Sequence, residues 1–293
     1  MELCLGTVQF GMQYGVSSAG QPDMQDAVEM LEYAANNGIS AIDTANAYGE
    51  AERIVGAFLA EHGREGVNVI TKIRPGILYN ADSESYYKIL RQNLEESLAT
   101  LGLKSVYGCL FHNSEYADDE AALKALARLK DDGLVQRVGI SIYLPAEFRR
   151  AAKSPWVDII QAPYNLMDTR LKKQMERTEC EIHARSVFLQ GLLLMDEKTV
   201  PQHLRDVIPY LQRLDYYCER NGFTRMQVLL NFVKLNENIH KVVFGVDNLE
   251  QLKQVIAAFN TEIDRQELID LAEEFTAVDE RLIRPNLWHV EYK

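Results

Sequence analysis

Four side chains that can donate, accept or polarise a proton follow apolar runs of this chain. Asp43 and Tyr48 lie in AIDTANAYGE. Lys72 ends VNVITK, and His112 ends VYGCLFH. An ammonium lowers the pKa of a neighbouring phenol, and a carboxylate paired with that ammonium keeps it charged. A neutral imidazole can direct an N–H at a carbonyl oxygen and polarise it. These residue types therefore suit the reduction of a carbonyl, with a phenol as the proton donor.

Each of these residues has an ordinary structural explanation when it is taken alone. Asp43 fits a turn former at the end of a strand, and Tyr48 fits a half-buried aromatic residue. Lys72 fits a solvated charge after a strand, and His112 fits a core histidine with satisfied hydrogen bonds. The functional interpretation depends on the four residues occurring together, at the ends of apolar runs or in the loop that follows one.

Short β-branched runs alternate with longer amphipathic segments along almost the whole chain. The runs predict strands at Leu3–Val8, Ile39–Thr44, Val67–Lys72, Val106–His112, Val135–Ser141, Val157–Ala162, Glu181–Phe188 and Lys241–Gly245. Apolar residues at i, i+3 and i+4 predict helices between them, including Gln25–Asn37, Ala51–Glu61, Ser83–Leu101, Glu120–Asp132 and Leu249–Ala258. Gly38, Gly63 and Gly133 follow predicted helix ends, and Asp118 or Asp119 is the predicted cap of the helix that follows them.

This alternation predicts an α/β fold, a (β/α)8 TIM barrel, because parallel strands need crossovers and the crossovers are usually helical. We expect residues 1–293 to form a single domain, with residues 264–293 as a C-terminal helix (Asp264–Val278) and tail. The tail contains Trp288, His289 and Tyr292, and it can cover the barrel mouth or lie on the surface. The carboxyl ends of barrel strands share one face, so the four residues can meet in one pocket.

Composition and charge exclude several other classes of protein. The net charge of −12 argues against a nucleic-acid binder, which usually carries a basic surface. No apolar run approaches the ~18 residues of a membrane-spanning helix, and no secretory signal is visible. The four cysteines lack metal-ligand spacing, so we expect no metal site and buried free thiols. These observations predict a cytoplasmic protein that binds neither nucleic acid nor membrane.

Several segments of the chain resemble those of the aldo-keto reductase superfamily. In order, they are LGTVQFG, DTANAYGEAE, VITK, LFH, GLVQRVGIS and QAPYN, and the resemblance runs from residue 5 to about residue 254. It implies a nicotinamide-dependent oxidoreductase, in this family usually a monomer, that acts on a small carbonyl substrate.

The resemblance gives each of the four residues a role. Tyr48 would be the general acid and base, and Lys72 would tune the pKa of that phenol. Asp43 would be the partner of Lys72, and His112 would orient the carbonyl group.

The resemblance also implies a dinucleotide site without a glycine-rich fingerprint after the first strand. The residues implied to hold the cofactor are Gly6, Thr7, Ser141, Gln161, Arg185, Ser186, Phe188, Gln190, Gly245, Asp247, Gln251 and Gln254. Ser141 and Gln161 would bind the nicotinamide carboxamide, although Ile142 replaces the usual asparagine. Arg185 stands where the family has a tyrosine that stacks on the nicotinamide. A guanidinium can stack there, or it can contact the substrate.

The adenosine end of this site departs from the family pattern. Gly245 and Gln251 stand where basic residues often hold a 2′-phosphate, and Asp247 adds a negative charge. A carboxylate repels a phosphate but accepts a hydrogen bond from a ribose 2′-hydroxyl. NADP(H) is the cofactor that the resemblance favours, and NAD(H), or the use of both, is the alternative.

The predicted mouth of the barrel combines aromatic and polar residues, which suits a small aldehyde, ketone or sugar-like carbonyl. Its expected lining is Val8, Phe10, Tyr14, Tyr48, Phe111, Asn113, Tyr143 and Trp288. Two other classes of protein stay open. One is a cofactor-binding regulatory or scaffold barrel with little turnover. The other is a barrel aldolase or isomerase with Lys72 as a Schiff-base nucleophile, which requires a lysine without a carboxylate partner.

Overall fold

Eight parallel strands close into a barrel in the computed structural model, which describes residues 1–16 and 20–288. The strands are β1 (Glu2–Gly6), β2 (Ala41–Asp43), β3 (Asn68–Ile73), β4 (Val106–Phe111), β5 (Val135–Ser141), β6 (Ile159–Pro163), β7 (Glu181–Arg185) and β8 (Ile239–Phe244). Each strand pairs with the next, and β8 pairs with β1 to close the sheet. The predicted (β/α)8 barrel is confirmed.

Helices fill the connections between the strands in the described ranges. They are α1 (Val8–Gly11), α2 (Met24–Asn36), α3 (Ala51–His62), α4 (Tyr86–Leu101), α5 (Glu120–Asp131), α6 (Pro145–Ala151), α7 (Lys172–Met175), α8 (Ile208–Asn221), α9 (Arg225–Lys234), α10 (Leu249–Phe259), α11 (Arg265–Glu273) and α12 (Glu280–Ile283). Short 3-10 turns lie at Ser114–Tyr116, Leu192–Leu194, Glu197–Thr199, Gln202–Val207 and Pro285–Leu287. Asp119 caps α5, since its side chain accepts from the Ala122 N–H.

Two strands, β1 and β7, end at least two residues earlier than the apolar pattern predicts. The predicted first strand runs to Val8, which instead begins α1. The predicted seventh strand runs to Phe188, but Ser186 has a φ of 61°. That left-handed conformation is incompatible with a strand, so β7 ends before it. Hydrophobicity alone does not reveal the change, because an apolar residue such as Val187 fits a strand or a buried turn equally well.

The C-terminal segment also differs from its prediction. The helix predicted over Asp264–Val278 is shorter, because α11 ends at Glu273. Asp264 caps it, and its side chain accepts from two backbone N–H groups of the first turn. Trp288 is buried, and its Nε1 donates to the Arg281 carbonyl at 2.7 Å. Trp288 therefore packs against the C-terminal segment and does not line the mouth. The other two aromatic tail residues, His289 and Tyr292, lie outside the described residues.

The interior of the barrel explains why polar side chains gather at one end. Successive strand residues point to opposite faces, so every second residue points inward. An apolar cluster separate from the main core contains Cys4, Ala41, Ile70, Leu110 and Ile159. Two residues further along β2, β3 and β6, the same face carries Asp43, Lys72 and Gln161. The strand periodicity thus places three polar residues directly above an apolar layer.

All four cysteines are free and buried, as the sequence predicts. Over residues 1–16 and 20–288, no helix combines the length and the apolar character that a membrane span requires.

Candidate active site

A carboxylate, an ammonium and an amide meet at the carboxyl ends of β2, β3 and β6. Lys72 Nζ donates to Asp43 Oδ1 at 2.5 Å and to the Thr44 carbonyl at 3.0 Å. Gln161 Nε2 donates to the other oxygen, Asp43 Oδ2, at 2.7 Å. Asp43 is only 3% exposed and Lys72 only 2%. Because a buried charge without partners is strongly destabilising, these hydrogen bonds are what allow both charges to lie inside the barrel.

The phenol ring of Tyr48 contacts both a cation and an imidazole. Lys72 Nζ lies 5.0 Å from the centroid of the Tyr48 ring. The His112 ring meets the Tyr48 ring edge to face, with 5.4 Å between centroids. The structure therefore brings together Asp43, Tyr48, Lys72 and His112, which come from three strand ends and one loop.

Two glycines fix the backbone of the loop that carries Tyr48. A Cβ on Gly11, the last residue of α1, would lie 1.6 Å from the Tyr48 carbonyl oxygen. Gly49 has a φ of 53°, and a Cβ there would lie 2.3 Å from the Gly11 carbonyl oxygen. The backbone of α1 thus packs directly on the Tyr48 loop, and this contact leaves no room for a side chain at Gly11.

Burial and neighbouring charges set the protonation states of the four groups. Burial raises the pKa of Tyr48 above its ordinary value, and the Lys72 ammonium opposes this only in part. Burial lowers the pKa of Lys72, but Asp43 and Tyr48 together outweigh it, so the net pKa is raised. Burial, followed by the charge of Lys72, lowers the pKa of His112 to about 4. At neutral pH Tyr48 is protonated, Lys72 is charged and His112 is neutral.

A cavity of about 890 Å³ opens onto Asp43 and Tyr48 and extends towards α10. Its volume lies within the range of roughly 300–1,000 Å³ that is usual for ligand and cofactor sites. Of the residues expected to hold a cofactor, those that line it are Gly6, Thr7, Gln161, Arg185, Ser186, Phe188, Gln190, Gly245, Asp247, Gln251 and Gln254. Ser141, which is buried and pairs with Gln161 in the β5–β6 ladder, is not among the lining residues.

The backbone after β7 is left-handed at three non-glycine residues. Ser186, Leu189 and Gln190 have φ values of 61°, 50° and 56°, and non-glycine residues in this region cluster at functional sites. Gln190 Oε1 and Gln9 Oε1 are buried, and neither has a hydrogen-bond partner among the described residues. Both side chains line the cavity. Unpaired acceptors in a cavity of this size fit a ligand that carries N–H and O–H donors, as the carboxamide and riboses of a nicotinamide dinucleotide do.

The loop after β1 is joined across the cavity to the loop after β7. Gln190 Nε2 donates to the Tyr14 hydroxyl at 2.9 Å, and the Val16 N–H donates to the Gln190 carbonyl at 3.1 Å. Gly15 lies between these contacts with a φ of 95°. These hydrogen bonds hold two cavity-lining loops together beside the reacting groups.

The far end of the cavity has a mixed charge. The Asp247 N–H donates to Gln251 Oε1 at 2.8 Å, so two of the residues expected to bind the cofactor are hydrogen-bonded to each other. The N-terminus of α9, which sequence reasoning missed, adds a cation at Arg225. That guanidinium is ion-paired with Asp215 and donates to the Met195 carbonyl at 2.6 Å. The signal that predicts this helix start is the capping box of Thr224, TRMQ.

The mouth of the barrel differs from its predicted lining. Val8 and Tyr14 line the cavity as expected. Phe10 and Phe111, at 0% and 1% exposure, belong to the hydrophobic core. The expectation that they face the mouth is wrong, because α1 turns Phe10 inward and the alternation of β4 directs Phe111 to the helix layer.

The family model described as the aldo/keto reductase family matches residues 2–274. The chain belongs to the aldo/keto reductase family. It is therefore an oxidoreductase of a family that uses nicotinamide cofactors.

Individual relatives are distant. D-threo-aldose 1-dehydrogenase from Pseudomonas sp is 26% identical over 274 residues, which is 78% of this chain and 82% of that protein. D-arabinose 1-dehydrogenase from Saccharomyces cerevisiae is 31% identical over 154 residues, which is 50% of this chain and 44% of that protein. The solved structure of the glycerol dehydrogenase AKR11B4 from Gluconobacter oxydans has a TM-score of 0.76 and 23% identity, covering 94% of this chain and 93% of that one. That last similarity shows a shared fold.

Proposed function

We propose that this member of the family reversibly reduces the carbonyl of a small aldehyde, ketone or sugar-like substrate, with Tyr48 as the proton donor. The observation that carries the proposal is the contact of Tyr48 with both Lys72 and His112 at one end of a cofactor-sized cavity. A bound nicotinamide would supply the hydride. The names of the D-threo-aldose and D-arabinose dehydrogenases support a sugar-like substrate.

Tyr48 and Lys72 would manage the proton. The raised pKa of Tyr48 keeps the phenol protonated at neutral pH, so it is ready to donate when negative charge develops on the carbonyl oxygen. The Lys72 ammonium, held by Asp43, would stabilise the phenolate that the donation leaves. In the opposite direction the same phenolate would accept the proton of the alcohol.

His112 would orient and polarise the carbonyl. Its pKa of about 4 keeps the imidazole neutral in the physiological range. Its Nδ1 is buried without a hydrogen-bond partner in the described part of the chain. A neutral imidazole beside the phenol can direct an N–H at the substrate oxygen without competing with Tyr48 as the acid.

The cofactor would lie along the cavity, with the nicotinamide near Tyr48 and the adenosine near α10. Gln161, Ser186 and Gln190 supply polar groups along this path. The resemblance favours NADP(H). NAD(H) is supported by the charges at the far end, where Asp247 lies on the lining and Arg225 is already paired with Asp215.

The other two classes of function find less support. A Schiff-base lysine requires an amine without a carboxylate partner, whereas Lys72 Nζ donates a hydrogen bond to Asp43 Oδ1 at 2.5 Å. A regulatory barrel with little turnover has no need for a proton donor, yet the Tyr48 phenol contacts both Lys72 and His112.

Titration of the purified protein with NADPH and NADH, followed by a screen of aldehydes, ketones and aldoses, tests the proposal. We expect saturable binding of at least one reduced dinucleotide, and carbonyl-dependent oxidation of it. Failure to bind either dinucleotide contradicts the proposed function. Binding without turnover of any carbonyl supports the regulatory alternative instead.

A further inference from the structure

Arg185 is a cation beside the reacting groups that no described carboxylate neutralises. It ends β7 and lines the cavity. Its Nη2 donates to the Ile142 carbonyl at 3.0 Å, and its Nη1 donates to Ser186 Oγ at 3.2 Å. Both acceptors are neutral. The ion pairs found over the described ranges include none with Arg185, so its charge is available to a ligand.

The guanidinium is held in a fixed orientation. Its central carbon lies 4.1 Å from the centroid of the Tyr143 ring, so one face of the planar group is covered by an aromatic ring. A guanidinium has five N–H donors, and two of them are used by Ile142 and Ser186. The remaining donors are pre-organised, and a fork of this geometry matches the paired oxygens of a carboxylate or phosphate.

The positive charge also reaches the groups that carry out the proposed chemistry. Burial dominates the pKa of Tyr48, of His112 and of Tyr14, and the charge of Arg185 adds a lowering contribution at each. The charge of Arg185 is therefore felt at Tyr48, at His112 and at the neighbouring Tyr14. A substrate whose carbonyl lies between Tyr48 and His112 has this cation nearby.

Stacking of Arg185 on the nicotinamide is the alternative role. The oxidised nicotinamide carries a positive charge, so a guanidinium against it brings two cations together in a partly buried site, where their repulsion is stronger than in water. An anionic group on the substrate removes that repulsion and gains charge-assisted hydrogen bonds.

We propose that Arg185 binds an anionic group of the carbonyl substrate, a carboxylate or a phosphate. This inference rests on the proposed function and narrows its substrate class to carbonyl compounds that carry a negative charge. Arg185 is then a specificity-determining residue, and the uncharged aldehydes and sugars are the poorer substrates.

Two matched substrate pairs test this inference. In the first pair, succinic semialdehyde has a carboxylate in place of the terminal methyl of butanal. In the second pair, glyceraldehyde 3-phosphate carries a phosphate that glyceraldehyde lacks. The ratio of kcat/KM, anionic over neutral, is measured for each pair with the wild type, Arg185→Gln and Arg185→Lys. Arg149→Gln is the control, since it removes one exposed positive charge from α6. The dissociation constant of the reduced dinucleotide and the unfolding transition are measured for every variant.

We expect the wild type to prefer the anionic member of at least one pair, and the pair that shows the preference identifies the group. Arg185→Gln should reduce that ratio by roughly 10- to 100-fold, mainly through KM, as expected for the loss of charge-assisted hydrogen bonds. Arg185→Lys should retain part of the ratio, and Arg149→Gln all of it.

Three outcomes overturn the inference. If the wild type turns over neutral and anionic members equally, the proposed function stands and this inference fails. If Arg185→Gln weakens dinucleotide binding and lowers both members of a pair equally, Arg185 serves the nicotinamide. If no carbonyl supports oxidation of either dinucleotide, the proposed function fails, and this inference fails with it.

Discussion

Gln161 donates to the Asp43 carboxylate at 2.7 Å although 118 positions separate the two residues in sequence. The other oxygen of that carboxylate accepts from Lys72. The amide therefore completes the hydrogen bonding of a buried ion pair, and it also lies on the cavity lining where the nicotinamide is proposed to bind. Gln161 thus joins the cavity lining to the carboxylate that also holds Lys72.

Gln161→Met should impair chemistry as well as cofactor binding. The change removes the donor to Asp43 Oδ2 and leaves a buried carboxylate oxygen without that partner. Hydrogen bonds to charged groups contribute about 1.5–3 kcal/mol, so we expect kcat to fall roughly 10- to 100-fold. Steady-state kinetics and dinucleotide titration are compared with Gln92→Met, an exposed position on α4. An unchanged kcat with weaker cofactor binding would mean that Gln161 serves the cofactor alone.

His112 should make the folded state less stable in acid. Its pKa is lowered from 6.5 to about 4, so the unfolded chain takes up a proton at higher pH than the folded protein does. The stability from a neutral His112 is complete above about pH 6.5 and is lost as the pH falls towards about 4.

Urea unfolding at about pH 7 and about pH 4.5 would measure the contribution of the neutral His112 to the free energy of unfolding. Between these conditions the wild type should lose about 2–3 kcal/mol more free energy of unfolding than His112→Gln does. The comparison with the variant removes the contribution of His183, whose pKa burial also lowers. An equal loss in both proteins would show that His112 titrates normally in the fold.

Gly11→Ala should disturb catalysis through the backbone of Tyr48. The new Cβ would lie 1.6 Å from the Tyr48 carbonyl oxygen, so α1 and the Tyr48 loop must separate. Misplacement of a catalytic group by about 1 Å can reduce the rate by ~10²-fold, and we expect a loss of that order in kcat. Gly133→Ala is the control: its φ is 71° and no atom lies within 4 Å of a Cβ there. Gly133→Ala should lose stability and keep its kcat. Full activity in Gly11→Ala would show that the contact between Gly11 and the Tyr48 loop does not position Tyr48 for catalysis.

Asp247→Asn should shift cofactor preference towards NADPH. The carboxylate lies on the lining at the end of the cavity where we propose that the adenosine binds. It would repel a 2′-phosphate there, so its neutralisation should weaken that repulsion. We expect the ratio of dissociation constants, NADPH over NADH, to fall by about 3- to 10-fold, equivalent to roughly 1 kcal/mol at a partly exposed site. Glu262→Gln, an exposed change of the same charge, should leave the ratio unaltered. An equal ratio of dissociation constants in Asp247→Asn and the wild type would show that the 2′ position of the adenosine ribose does not bind near Asp247.

The sequence was sufficient to predict the barrel and the meeting of the four polar residues. Alternating strand and helix patterns specify the topology, and the shared strand ends then bring Asp43 and Lys72 together. The bond between Gln161 and Asp43 was not predicted, because it depends on which inward residues share a level in the closed barrel. The left-handed conformation of Ser186 was not predicted either, because the apolar run that follows it, Val187–Leu189, fits a strand or a buried turn equally well.

Other parts of the interpretation stay predictions. They are the single-domain organisation of residues 1–293, the choice of NADP(H) or NAD(H), and the catalytic roles of the four residues. The direction of the Tyr48 pKa also differs from the expected lowering, because burial outweighs Lys72 when both act on the same phenol. The sequence alone does not show how deeply a side chain is buried. The balance between burial and a neighbouring charge, which sets the direction of the pKa shift, therefore could not be predicted from it.

Tyr48→Phe is the measurement that tests the central claim most directly. The rate of reduced-dinucleotide oxidation with a carbonyl substrate is compared among the wild type, Tyr48→Phe and Tyr216→Phe, whose phenol is 67% exposed on α8. Loss of the proton donor should lower kcat by ~10²- to 10⁴-fold. The dissociation constant of the dinucleotide should change by less than about threefold, and Tyr216→Phe should behave as the wild type does. A kcat near the wild-type value in Tyr48→Phe would contradict the assignment of Tyr48 as the proton donor.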